Sequence, residues 1–234
     1  MNEILLILSL IAEFSAVVLA YRFFGKNGLY AMTVFCTLAA NIEVIILIDA
    51  FGIEQTLGNI LFGASFLITD ILSENEGKRA ANKAVTLGIC VSVLFILVSQ
   101  SWLYYVPAEA DRSMEHIKGV FSTTPRVMLA SLLVYAVTQR IDVWLYHKWW
   151  SFTEKHFGSK KRFLWLRNNG STMLSQLLNT ILFNFAAFYG KYPLPTLLNI
   201  CLSSYIIFFI TALCDTPAVY IARRMKERGS VREE

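Results

Sequence analysis

The chain of 234 residues is 56% hydrophobic and only 16% charged, with a mean hydropathy of +0.52 and a formal net charge of +4. That composition excludes an ordinary soluble domain. The small basic excess gathers in loops between apolar runs, so it gives no reason to invoke nucleic acid.

The apolar pattern divides into seven spans near the ~20 residues that cross a bilayer. Span one runs from about Asn2 to Phe24; with no basic n-region before it, it reads as a retained helix and not a cleaved signal. Span two covers about Leu29 to Ala50. Span three, Leu57 to Ser73, is shorter and passes into the polar run around Glu74. Span four covers about Ala80 to Tyr105, and the polar segment after it, with Pro107, Glu109, Asp111, Arg112, Glu115 and Pro125, has room for a short interfacial helix. Span five is about Val127 to Trp150, span six Ser171 to Tyr189 and span seven Thr196 to Ala222; residues 223–234 read as a charged cytoplasmic tail. Tyr104, Tyr105, Trp149, Trp150, Tyr189 and Tyr192 fall at span ends, where aromatic belts belong. Cys36, Cys90, Cys201 and Cys214 lie inside apolar segments without CxxC or metal spacing, and read as small buried hydrophobes.

The basic residues alternate with this count. Arg22, Lys26, Lys78, Arg79, Lys83, Lys148, Lys155, Lys160, Lys161, Arg162, Arg167 and the tail cations fall on one side. Arg112, Lys118, Arg126 and Lys191 fall on the other, and Arg140 lies within span five. The positive-inside rule then predicts an all-α polytopic inner-membrane protein with its N-terminus outside and its C-terminus cytoplasmic.

Polar residues within the spans mark a candidate site. In span six, Thr172, Ser175, Gln176 and Asn179 share one third of the helix circumference, preceded by the polar loop that holds Arg167 and Asn169. Span three places Asn59, Gly63, Phe66, Asp70 and Glu74 on one stripe, and span five does the same with Tyr135, Gln139, Asp142 and Tyr146. Span two adds Asn41 beside Thr33 and Thr37, and span seven adds Asn199 and Asp215. Arg140 points away from Asp142 and is available to neutralise Glu43 or Asp215 on a neighbouring span. Carboxylates, carboxamides and aromatic faces from several helices describe a pocket for a flat, donor-rich heterocycle. They also describe a scaffold in which the same groups only join helices. Alanines at four-residue spacing in span one (Ala12, Ala16, Ala20), and Ala80, Ala84 and Gly88 in span four, are packing stripes. No phosphate-loop, HExxH or GxSxG pattern is present, so no enzyme, cofactor or metal is expected.

The run Thr69-Asp70-Ile71-Leu72-Ser73-Glu74 with Gly77 and the basic pair after it, Gln139 with Asp142, Arg167-Asn168-Asn169-Gly170-Ser171-Thr172 leading to Ser175-Gln176, and Asn41 together resemble the queuosine-precursor transporters. These are the YhhQ-like group of vitamin-uptake-type membrane proteins. The resemblance covers spans two to seven, a six-helix core to which span one looks like an addition. Asn179 stands where many relatives carry an acid, and Glu76 where many carry an aromatic. The resemblance implies import of a 7-deazaguanine (the cyano or aminomethyl precursor, or queuine) for tRNA modification. It implies Asp142 or Asp70 at the N1–H and N2–H₂ edge, and Gln139, Gln176, Asn41 or Asn179 at O6 and the ring nitrogens. Phe66, Tyr135 or Tyr146 would stack, Glu74 would hold an aminomethyl ammonium, and Arg167, Asn169 and Ser175 would complete the site. It leaves open proton coupling, passive entry, a homodimer, and docking to an energy-coupling-factor ATPase module.

Overall fold

Gly25 sets the first large feature of the fold. In the computed structural model, which describes residues 1–122, 125–158 and 162–232, α1 (Asn2–Glu43) is two helical arms joined at this glycine. Its φ of 55° and ψ of −143° suit a residue without a side chain. The chain doubles back there: a Cβ on Gly28 would collide with the Ala20 carbonyl. The start of the first arm meets the segment that follows the second, where Asn2 Nδ2 donates to the Asp49 carbonyl at 2.8 Å.

The second arm stops at Glu43, short of the expected Ala50. The β-branched run that follows forms a hairpin instead, β1 (Leu47–Ala50) paired antiparallel with β2 (Ile53–Thr56). Ala50 faces Ile53 across a two-residue turn in which both Phe51 and Gly52 have positive φ. That is the primed turn whose twist matches paired strands.

α2 (Asn59–Asn75) is the centre of the bundle, buried without a break from Gly63 to Ser73. α1, α3 (Lys78–Trp102), α5 (Pro125–Phe157) and α7 (Leu194–Glu227) pack around it. The short α4 (Met114–Ser122) is the helix foreseen between spans four and five. α6 (Leu164–Phe188) begins well before Ser171. The residues expected in a loop are its first two turns, because Arg167, Asn168 and Asn169 find buried partners on α2 and α7.

The expected tail is also corrected. α7 stays helical to Glu227, Lys226 pairs with Glu76 at 3.2 Å, and Val231 is buried in the main core. Arg232 N–H donates to the Arg22 carbonyl beside the Gly25 bend. Lys160 and Lys161, counted among the basic loop residues, and the last two residues lie outside the described residues.

The bundle thus has a hairpin end and a bend end. At the hairpin end Arg126 donates to the carbonyls of Ala186 and Tyr189 at 2.8 and 2.9 Å, closing α5 against α6. Among the described residues, α1, α3, α5 and α7 are the helices long and apolar enough to cross a membrane. α2 has 17 residues, and α6 carries the polar stripe. Leu94, Leu97, Leu133 and Leu202 face outward, as the flank of a multi-pass membrane protein requires. Cys36 and Cys201 are buried, whereas Cys90 and Cys214 face outward, contrary to the expectation for all four. Their apolar segments place them toward lipid.

Candidate functional site

One face of α6 donates to an acid on each of three other helices. Ser175 Oγ reaches Asp142 of α5 at 2.7 Å, Thr172 Oγ1 reaches Asp70 of α2 at 3.0 Å, and Asn168 Nδ2 reaches Asp215 of α7 at 2.7 Å. Positions 168, 172 and 175 recur at helical spacing, so one stripe serves all three. Asp70, Asp142 and Asp215 are each at most 1% exposed. Asp70 lies within electrostatic reach of the other two.

The layer is incompletely satisfied. Asp70 Oδ1, Asp142 Oδ2, Asn168 Oδ1, Asn169 Oδ1 and Gln176 Oε1 are buried acceptors with no donor among the described residues. Each such atom costs about 1–3 kcal/mol, so this is a site poised to receive hydrogen-bond donors. Gln139, by contrast, is held at both amide atoms: its Nε2 donates to Ser65 Oγ at 2.8 Å, and its Oε1 accepts from Thr69 Oγ1 at 3.2 Å.

Below the acids, at the bend end, the bundle is clamped shut. Glu74 accepts from Arg167 Nε and Nη2 at 2.8 and 2.6 Å, from the Tyr146 hydroxyl at 2.7 Å, and from Arg223 Nη1 at 3.2 Å. The Arg167 guanidinium also lies 4.4 Å from the centre of the Trp150 ring. Glu74 is therefore not available to an ammonium group, and the role expected for it is corrected. Its carboxylate is saturated by two guanidinium groups and a phenol. Tyr146 is likewise part of this clamp and not a stacking surface.

Above the acids, a cavity of about 460 Å³ opens at the hairpin end between α1, the hairpin, α2, α5, α6 and α7. Of the residues expected to bind, Asn179 alone lines it; Asn59, placed on the span-three stripe without a binding role, lines it too, and the amides Gln55 and Asn184 were not foreseen as its walls. Asn41 and Tyr135 line a separate void of about 20 Å³, and Phe62, Ala40 and Ser131 line both spaces. Phe66 is wholly buried behind Phe62, with ring centroids 5.4 Å apart. Asn169 turns toward α7 and donates to Thr216 Oγ1 at 2.8 Å.

The structure thus joins Asp70, Asp142 and Ser175 in one layer. It assigns Glu74, Tyr146 and Arg167 to the clamp and leaves Asn179 at the cavity floor. Asp215 was seen in the sequence, with Arg140 available to it or to Glu43; Arg140 faces outward and Asn168 meets Asp215 instead. An acid in the middle of an apolar helix is itself the signal that marks Asp215.

Residues 56–222 match the model of the family described as "Putative vitamin uptake transporter". The chain belongs to this family. It is also 40% identical over 215 residues to the "Probable queuosine precursor transporter" of Bacillus subtilis strain 168, covering 92% of each chain. No solved structure matches it significantly. The family makes the protein a membrane transporter and not an enzyme.

Proposed function

We propose that this transporter imports a purine-like base, a 7-deazaguanine precursor of queuosine, through the cavity and the acid layer beneath it. The observation that carries the reading is the stacking of three parts: an open cavity, buried acids with unpartnered oxygens, and a closed opposite end. A volume of about 460 Å³ is within the range of small-molecule pockets. Asn179 at its floor lies one helical turn from Ser175, which holds Asp142. A guanine-type edge passing Asn179 would bring two adjacent N–H donors to the bare oxygen of Asp142, with Gln176 and Asp70 next along the path. Phe62 lines both voids, so its side chain is the partition a flat ring has to displace to reach Asn41 and Tyr135.

In this reading the chain crosses the inner membrane seven times, α1 contributing two crossings, with the hairpin end outside and the bend end in the cytoplasm. The basic residues at the bend end (Arg22, Lys78, Arg223, Lys226) support that orientation. Release inward requires the Glu74 clamp to part, so access alternates between the two ends.

The test is uptake of radiolabelled 7-cyano- and 7-aminomethyl-7-deazaguanine, with queuosine in tRNA as a second readout, in a host that lacks its own transporter and precursor synthesis. Saturable uptake that restores queuosine is expected. Expression at the membrane with no uptake of either base refutes the reading.

A further inference from the structure

We infer that Asp142, Asp70 and Asp215 form a proton-binding ladder that couples base uptake to inward proton movement; this rests on the import reading above. The three partners on α6, Ser175, Thr172 and Asn168, succeed one another at three- and four-residue steps. At the helical rise these steps are about 4.5 and 6 Å. The ladder starts one turn below Asn179 at the cavity floor and descends toward the clamp.

Among the described residues, the hydrogen bonds that Ser175, Thr172 and Asn168 give the ladder come from neutral donors: two hydroxyls and an amide. Among the described residues, no lysine, arginine or histidine forms an ion pair with any of the three acids; Arg167, on the same helix, is committed to Glu74. Three desolvated carboxylates in one layer without a counter-cation are unfavourable in a membrane interior. A proton on each acid removes that cost and gives it a hydrogen to donate. Receivers stand ready. Asn168 Oδ1 is wholly buried and bare on the very side chain that meets Asp215, and Gln176 Oε1 is bare beside Ser175.

The charged and titratable groups around the ladder are few. Glu74 of α2, Tyr146 of α5 and Arg167 of α6 close its lower end on one another, and Cys214 adjoins Asp215 on α7. From α1, Tyr21 bonds Glu76 at the bend end, outside the ladder. From α3, Lys78 acts electrostatically on His147 of α5. A proton enters from the cavity, passes from Asp142 through Asp70 to Asp215, and leaves at the bend end when the clamp parts. One base carried with a proton moves positive charge inward.

The test uses the full-length protein in liposomes with a pH-sensitive dye inside and labelled 7-cyano-7-deazaguanine outside. Exchange of labelled for unlabelled base is measured without a gradient; accumulation and base-dependent acidification of the lumen are measured with acid outside. Wild type is expected to exchange, to accumulate and to acidify the lumen, and a protonophore is expected to abolish accumulation. Asp215→Asn is expected to lose both accumulation and acidification, with Asp215→Glu restoring them. Wild-type exchange without base-dependent acidification overturns the ladder and leaves the import reading intact. So does undiminished acidification by Asp215→Asn. If Asp215→Asn proves unfolded, the wild-type acidification and its protonophore sensitivity decide the matter. Absence of exchange by folded wild type overturns the import reading and the coupling together.

Discussion

Asp142 shows what a single side chain does here. Its one bonded oxygen accepts from Ser175, one helical turn from Asn179 of the cavity, and its other oxygen is bare in the buried layer. Asp142→Asn swaps that acceptor for a donor of the same size. Loss of uptake with unchanged membrane insertion and detergent stability is expected, as read by transport beside a melting curve. Glu74 contrasts with it. Glu74→Gln leaves the buried guanidinium of Arg167 without its carboxylate, and losing one partner of a buried ion pair costs about 3–5 kcal/mol. A lower melting temperature is expected, whereas Arg223→Gln, at the more open edge of the clamp, should cost less. The helical spacing of Gln139, Asp142 and Tyr146 was legible in the sequence because period alone puts them on one face. The division of labour was not. Glu74 and Arg167 lie 93 residues apart, and nothing local says that they saturate one another. Asp215 was misread for the same reason: a buried acid calls for a partner, but the sequence does not say whether a cation or an amide supplies it.

Among the elements, the helices were legible from their apolar runs and their ends were not. The start of span six is the clearest case. Arg, Asn and Gly in succession read as a loop, yet tertiary partners on α2 and α7 hold them helical. The end of span two failed the other way, because the apolar run 44–50 continues a span in hydropathy while its β-branched residues and the Phe51–Gly52 turn make a hairpin. The fold-back at Gly25 depends on close backbone contact. Gly28→Ala places a methyl against the Ala20 carbonyl, an overpacking worth about 1–3 kcal/mol. A matching fall in melting temperature in detergent is expected, and an unchanged midpoint would show that the two arms have room to part.

For the whole molecule, the acids sit between one opened end and one clamped end, and this asymmetry is the state from which import would begin. No local sequence signal reports it, since a closed end is a set of contacts among α2, α5, α6 and α7. The wrapped segment after Arg228 adds to the closure: Arg232 and Val231 seat against the Gly25 bend, so the chain's last stretch braces its first turn.

The placement of the thiols has a practical outcome. Cys36 and Cys201 are buried and Cys90 and Cys214 are exposed on apolar helices; in the proposed membrane placement the latter two look toward acyl chains, and the native polypeptide then offers nothing to a water-borne maleimide. Treatment of intact cells is expected to leave it unlabelled. Reporter sulfhydryls introduced one at a time along the hairpin or beside the Gly25 bend would then show, against a silent background, which side of the bilayer each face meets and when.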